Sequence, residues 1–432
     1  MCERCHGCTV KSITPGQGTT HMNGRIVATE IAIIGGGLAG MSLLAHLGAS
    51  GWRGDVIVID DGAYPIETRC WSWWSRGELL LDDSATAAYL AARCASDTWV
   101  KVGSLEPYAY RTITGAALSE TVSALICDRV RVTRLSGTAV AVSRSDDGAV
   151  CSVETTDGTV WVRAERVYDS VGIGRHHHNA TSLPRLDFIG WKVHAETAVF
   201  TPEVMTLMDF RTDQSNGLAF VYVLPVGSHD ALIDHTVYVT DAAATPVDHE
   251  RLTRDYLATV YGSFDVTLVK VEEGPIPLDE PRVQSSAATL IGVAAGAVKL
   301  STGYGFARIQ RHCGAIADAV AAGEPDPPPP QSRGLARLLD RILLGIIHAQ
   351  PGAAQTMFEA FVRRLDWEHL LAFLDEDASL RDQLRVCVRV PPTVFVRAAF
   401  GRPRRRSQAL ATAPGSSATL PAGERVTDGV EG

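Results

Sequence analysis

The stretch IAIIGGGLAGMSLLAHL, from Ile31 to Leu47, runs a hydrophobic strand into three consecutive glycines and on into an Ala/Leu-rich helix. The pattern predicts a strand over Thr29–Ile34, a turn at Gly35–Gly37 and a helix over Leu38–Leu47. A parallel strand follows at Asp55–Asp60, apolar between its ends, as a strand covered on both faces must be. Gly35, Gly37 and Gly40 stand in G-x-G-x-x-G order, and Asp60 comes twenty residues after Gly40. Each position has a physical task in a dinucleotide site. Gly35 permits the tight turn, Gly37 lets the backbone approach a pyrophosphate, and Gly40 lets helix and strand pack closely. The helix N-terminus adds N–H donors and the positive end of its dipole. Asp60 is placed to accept hydrogen bonds from an adenosine ribose.

This motif alone does not separate FAD from NAD, but the later chain does. A three-stranded meander is expected between Ala139 and Val162, leading to a strand that ends at YDSVG (Tyr168–Gly172). Much later, ATLIGVAAGAVKLSTGYGFARIQ reads as a strand (Ala288–Ile291), a small-residue turn and a long helix. Gly292, Gly296, Thr302 and Gly303 would then lie where a flavin meets a helix N-terminus. The expected fold is α/β: a Rossmann-type FAD-binding domain of the two-dinucleotide-binding-domain flavoprotein type. It carries an inserted antiparallel β-sheet substrate domain and a helical C-terminal segment. The expected limits are 29–182 and 282–323 for the FAD-binding domain and 183–281 for the sheet, whose segments alternate with period two. Residues 331–405 form the helical segment. Residues 1–28 and 406–432 read as tails, with Met22 an alternative start, and EPDPPPP (Glu324–Pro330) reads as a stiff linker.

Bulk properties narrow the function. A formal charge of −9 over 432 residues argues against nucleic acid as a partner. From Arg333 to Arg406, however, stand thirteen arginines, no lysine and eight carboxylates, a local balance of +5. On the helix LARLLDRILLGII, Leu335, Leu338, Leu339, Ile342 and Ile346 make one stripe; core packing is the favoured reading over contact with anionic lipid. No apolar run reaches the length of a membrane span. The nine cysteines form no framework, and no signal peptide is visible, so a cytoplasmic protein, peripheral on the membrane at most, is expected. CERCHGC (Cys2–Cys8) and RHHHNA (Arg175–Ala180) invite metal or haem readings. Neither completes a ligand set, and no metal is expected.

Six further segments, in order, resemble the lycopene cyclase family of FAD-dependent flavoproteins. They are RCWSWW (Arg69–Trp74), FIGWKV (Phe188–Val193), LMDFRTDQSNGLAFVYVLP (Leu207–Pro225), ALIDHT (Ala231–Thr236), EEGPIP (Glu272–Pro277) and STGYGFARIQ (Ser301–Gln310). The resemblance runs from Thr29 to about Phe400. It implies a cyclisation without net redox change that nevertheless requires reduced FAD, with NAD(P)H a candidate distal reductant. It also implies a hydrophobic polyene as substrate. Such a reaction protonates an alkene, so it needs a carboxylic acid kept neutral in an apolar pocket. The cation that results needs negative potential, aromatic faces and exclusion of water.

Family members carry two adjacent acids before the Thr of the fourth segment; here those positions are Asp234 and His235. The first is shortened and the second is an imidazole. As neighbours on a strand the two would point to opposite faces, leaving one in the pocket. The candidates for the acid are Asp234, then Glu272, then Asp209. Trp71, Trp73, Trp74, Trp191 and Tyr304 are the candidate aromatic faces, core packing being the alternative for each. The Asp–His departure equally supports a same-family cyclase of a non-carotenoid polyene or prenylated metabolite. A redox flavoenzyme, such as a hydroxylase or isoprenoid reductase, and a non-catalytic flavin-binding scaffold are the other readings.

Overall fold

The computed structural model describes residues 11–12, 25–173, 183–241, 246–262, 266–278, 287–332, 334–375, 381 and 383. The CERCHGC and RHHHNA segments, the start of the chain around Met22 and the tail from 406 lie outside the described residues. Three sheets and seven α-helices build the described protein.

The first sheet is the nucleotide-type layer. Its parallel heart joins β2 (Arg25–Ile34), β3 (Gly54–Asp60), β9 (Val130–Ser136) and β12 (Gly158–Asp169), in the order β9-β3-β2-β12. Two-residue strands β1 (Lys11–Ser12) and β18 (Thr289–Leu290) add in parallel to β9 and β12. Strands β10 (Thr138–Ser145) and β11 (Gly148–Thr155) continue antiparallel from β12. The third strand of the expected meander and the strand ending at Tyr168 are therefore one continuous element. The apolar residues of β2 and β3 split by parity, as a doubly covered strand requires. Ile31, Ile33, Val56 and Val58 meet α1 (Leu38–Ala49), α2 (Gly115–Ile126) and α4 (Phe306–Ala322). Ala32, Ile34, Ile57 and Ile59 meet the meander.

The second sheet has the order β17-β13-β16-β15-β14-β6-β7. Five strands come from the expected insertion: β13 (Arg185–Ala195), β14 (Val204–Asp209), β15 (Ala219–Pro225), β16 (Asp230–Val239) and β17 (Val266–Pro277). The other two, β6 (Ala91–Ser96) and β7 (Trp99–Ser104), come from earlier in the chain, and β6 joins β14 in parallel. Sequence alternation could not assign them, because the pairing partner lies more than a hundred residues away. One face of this sheet packs on α3 (His249–Tyr261) through Trp191, Val221, Ile233 and Tyr256. The other face meets α5 (Gly334–Ala349), α6 (Pro351–Arg364) and α7 (Trp367–Leu374). A third, three-stranded sheet, β4 (Cys70–Ser75), β8 (Ala109–Thr114) and β5 (Ala87–Tyr89), bridges the two cores.

Helix α5 buries part of the stripe that its period suggests, with Ile346 in the core and Ile342 packed against it. Leu343, Ile346 and Ile347 enter the core and Asp340 is buried beside them, whereas Leu338 is 53% exposed. The proline-rich segment does not hang free. Asp326 accepts hydrogen bonds from Arg166 Nη1 (2.8 Å), Tyr168 Oη (2.9 Å) and Thr289 Oγ1 (2.5 Å), which ties the segment to β12 and β18. Removing a partly buried acceptor that serves three donors costs about 1–3 kcal/mol. Asp326→Ala is therefore expected to lower the unfolding free energy by roughly that amount. Guanidinium denaturation read by tryptophan fluorescence would check it, and an unshifted midpoint would refute the clamp.

Candidate functional site

The glycine turn comes out as a strand–turn–helix junction. Gly35 has φ of +94°, and an added Cβ would stand 2.1 Å from Ser170 Oγ, so no side chain fits there. Gly37 is exposed with nothing within 4 Å of an added Cβ, and α1 begins there without a side-chain cap. Its first-turn N–H groups are thus open to an anion. Asp60 accepts from Gly36 N (2.6 Å) and Gly62 N (2.8 Å), one per carboxylate oxygen, which pins the turn and leaves lone pairs for a ribose. A second turn packs beside it, held by Asp169, whose carboxylate accepts from the N–H groups of Val171, Gly172 and Ile173. Gly292 presses on Ala39 of α1, and Gly296 closes the same turn. Thr302 and Gly303 lie in the turn before α4, where Thr302 Oγ1 is buried without a hydrogen-bond partner.

The acids gather on the second sheet. Gly190 on β13 is the direct cross-strand partner of Asp234 on β16 and of Glu272 on β17. Residues paired in this way share a face, so the two carboxyls flank a position that has no side chain. A Cβ at Gly190 would lie 3.2 Å from Glu272 Cγ and 3.6 Å from its Oε1. Glycine here makes room for the glutamate. A register shift of β17 follows at once, with Glu272 opposite Gly190 and Lys270 opposite Trp191; bulges of this kind re-aim side chains beside active sites. Tyr222 continues the row, opposite Asp234 on β15, and its hydroxyl meets that of Tyr304 at 3.0 Å. From the bridging sheet, the Cys70 N–H donates to Glu272 Oε2 (3.3 Å). Trp74 stands edge-on to Tyr304 with 4.6 Å between ring centroids, and Tyr110 pairs with Trp74.

Burial sets the protonation of this pair. It raises Asp234 to about 6, against which the Thr236 hydroxyl donates a hydrogen bond (2.9 Å). It raises Glu272 further, to about 8, helped by the charge of Asp234 and opposed by the Cys70 N–H and Arg69. Two neighbouring carboxyls pushed apart in this way divide the work of acid and anion. Of the pair, Glu272 is raised further and Asp234 is the more readily ionised. Burial and the nearby acids also push the Cys70 thiol up to about 12.

Several expected site residues lie elsewhere. His235 faces the opposite side of the sheet, bonded to His249 (2.9 Å) and Thr212 (3.1 Å), and burial lowers it to about 3. It does not share the face of Asp234 and Glu272. Asp209 is held by Arg211 at 2.9 and 2.6 Å and by the Tyr256 hydroxyl at 3.0 Å, against α3. Breaking such a buried pair costs about 3–5 kcal/mol, and Asp209 lies on the α3 side, away from Asp234 and Glu272. Trp191 is core on the α3 side. Trp73 stacks on Phe306 at 4.0 Å and donates to Asp82 (2.7 Å), and Trp71 packs on the same nucleotide-domain core. Only Trp74 and Tyr304 of the expected aromatics join the acid pair. Gly190, Tyr222, Tyr110 and Cys70 were not foreseen; the Gly inside the FIGWKV strand was the available signal, since an isolated strand glycine marks a close approach. Among the described residues there is no metal-binding cluster.

The raised acid carries a linkage consequence. Glu272 has its ordinary value at 4.5 and sits near 8 when folded, so its contribution to stability is complete below the lower value and is lost as pH rises through the upper one. Glu272→Gln is expected to melt at a higher temperature than the parent at pH 9 and at the same temperature at pH 4. Thermal scans at the two pH values check this, and a gap independent of pH would contradict it.

Comparison with known proteins bears on what such a site belongs to. A family model described as lycopene cyclase protein matches residues 30–400. The chain is 30% identical over 160 residues to a lycopene beta-cyclase of Pantoea ananas, a match that spans 35% of this chain and 40% of that protein. Its fold is similar to that of a geranylgeranyl bacteriochlorophyll reductase-like protein from Thermoplasma acidophilum (12% identical, 87% of this chain and 99% of that one, TM-score 0.55). A flavoprotein/dehydrogenase from Cytophaga hutchinsonii is also similar (12% identical, 87% and 100% covered, TM-score 0.57). At such identities the likeness is one of fold, the α/β architecture of flavoproteins. The family model spans well over half of the residues, and this chain belongs to the lycopene cyclase protein family.

Proposed function

We propose that this protein is a flavin-dependent, redox-neutral cyclase that closes a ring at the end of a linear carotenoid such as lycopene. It would act as an isomerase of the intramolecular lyase type. The observation that carries the reading is the Asp234–Glu272 pair, facing one way across Gly190 under Trp74, Tyr222 and Tyr304. FAD fits the nucleotide layer: the uncapped N-terminus of α1 and the open Gly37 suit a pyrophosphate. The buried Thr302 hydroxyl has no partner of its own before α4, which supports a polar cofactor group at that turn. When bound in reduced form, with NAD(P)H as the source of its electrons, the flavin would supply negative potential beside the developing cation.

The chain's own groups account for the protons. Glu272, protonated at neutral pH, hands its proton to a terminal alkene carbon, and a new carbon–carbon bond forms as an internal double bond attacks the cation. Asp234, the more readily ionised of the two, offsets the positive charge. The faces of Trp74, Tyr222 and Tyr304 add their quadrupoles, worth about 0.5–2 kcal/mol each. Loss of a proton from the ring to the carboxyl pair restores its starting charge, so the product is an isomer of the substrate. A polyene of this kind partitions into lipid. We assign bilayer contact to the outer side of α5, where Leu338 is exposed; among the described residues no helix is long and apolar enough to cross a membrane.

Anaerobic incubation of the protein with reduced FAD and lycopene in lipid vesicles is expected to give a cyclised product of unchanged mass. NAD(P)H would not be consumed in step with turnover. Glu272→Gln and Asp234→Asn are each expected to lower the rate by about 100-fold or more, the usual contribution of a positioned acid or base. The parent rate should fall as pH rises above about 8, where Glu272 loses its proton. A product that has gained oxygen or two hydrogens, or full activity in both variants, would overturn the reading.

A further inference from the structure

Beyond the acid pair, the same sheet face covers a narrow apolar slot. It lies between β14 and helices α5–α7 and is lined by Leu207, Met208, Leu343, Met357, Phe358 and Phe361 among others. Its polar wall is Lys299, Ser301 and Asp340. Asp340 Oδ1 receives Lys299 Nζ at 2.7 Å and Ser301 Oγ at 2.5 Å. Asp340 Oδ2 is buried and accepts no hydrogen bond, and the whole residue is only 2% exposed. A buried carboxylate oxygen without a hydrogen-bond donor is unfavourable, since it has lost the water that would otherwise solvate it. The Lys299 ammonium already balances the charge of Asp340, so what the oxygen lacks is a neutral hydrogen-bond donor rather than a second cation. Hydrocarbon fills the rest of the wall.

The slot is joined to the acid pair by one short turn. Lys299 N donates to Tyr304 O (2.7 Å), Tyr238 Oη donates to Ser301 O (2.7 Å), and the Tyr304 hydroxyl meets Tyr222 in the row that holds Asp234. Six residues, 299–304, thus carry both the aromatic cover of the acids and the polar wall of the slot. An extended segment of that length spans no more than ~20 Å, within the reach of a long polyene.

We propose that the slot is a subsite for the far, unreacting end of the substrate, and that this end bears an alcohol hydroxyl which donates to Asp340 Oδ2. The preferred substrate is then a hydroxylated acyclic polyene rather than the bare hydrocarbon. This rests on the cyclase reading and refines its substrate class. A site built to bond a hydroxyl discriminates strongly against the analogue that lacks it, because the buried group is left unpaired. Met357 and the aliphatic lining give the slot the means to widen by rotamer change.

The test compares lycopene with an acyclic carotenoid that carries a tertiary hydroxyl at one end, on the flavin-loaded full chain. The expected kcat/KM ratio favours the hydroxylated polyene by tenfold or more. In Lys299→Met/Asp340→Leu, which removes both charges together and leaves no orphaned ion, the ratio should fall to near one. Asp340→Asn, closer in shape, should reduce the ratio in part if the double variant does not fold. Co-elution of each polyene with the protein in detergent micelles, read by polyene absorbance, gives the same preference without turnover. No cyclised product from either polyene would sink the cyclase reading while the binding ratio still judges the subsite. Equal binding and turnover of the two polyenes, or a ratio that neither variant changes, would show that Asp340 Oδ2 is served by water alone and would overturn the proposal.

Discussion

Two carboxyl groups held side by side in a poorly solvated space cannot both ionise at the usual pH, and much of the site's chemistry depends on that constraint. The sheet imposes it. Cross-strand registration puts Asp234 and Glu272 on either side of Gly190, and the missing side chain lets Glu272 lie over the strand. Burial separates their affinities for a proton, to about 6 and about 8. Two chemically similar groups thereby differ in how tightly each holds a proton.

The architecture supplies what the pair needs and keeps competing groups away. The face that carries the acids also carries Tyr222 and meets Trp74, Tyr110 and Tyr304, so aromatic area lies beside the pair. Strand alternation sends His235 to the other face, where burial against α3, and then the neighbouring imidazole, keep it neutral. An imidazolium beside Asp234 would have lowered that acid's affinity for its proton. Asp209, also on the α3 side, is held by Arg211 and Tyr256. His235 thus lies away from Asp234, and the carboxyl that shares the face of Asp234 across Gly190 is Glu272, from a different strand.

Short elements, the turn before α4 and the strand β4, reach both the first and the second sheet. The turn before α4 carries the buried Thr302 hydroxyl, Tyr304 toward the acids and Lys299 with Ser301 toward the slot beneath α5. The bridging strand β4 works the same way by parity. Trp71 and Trp73 pack into the nucleotide-domain core, while Cys70 and Trp74 face the acids. Asp326 anchors the proline-rich segment at the edge of this arrangement, so the helices that follow it start from a defined point.

Local pattern alone determined the glycine turn and its flanking strands, the long helix at Phe306, and the alternating strands of the insertion. Those features depend on residues close in sequence: period, turn chemistry and the absence of side chains where backbone must approach. The six ordered segments likewise identified the family from residues alone. Which strands of the second sheet are neighbours, that β6 and β7 belong to it, and which tryptophans are core were decided by pairings across many tens of residues. The different proton affinities of Asp234 and Glu272 arise there too. A carboxyl's affinity for its proton follows from desolvation and from the charge opposite it, and both exist only once Gly190 lies between Asp234 and Glu272.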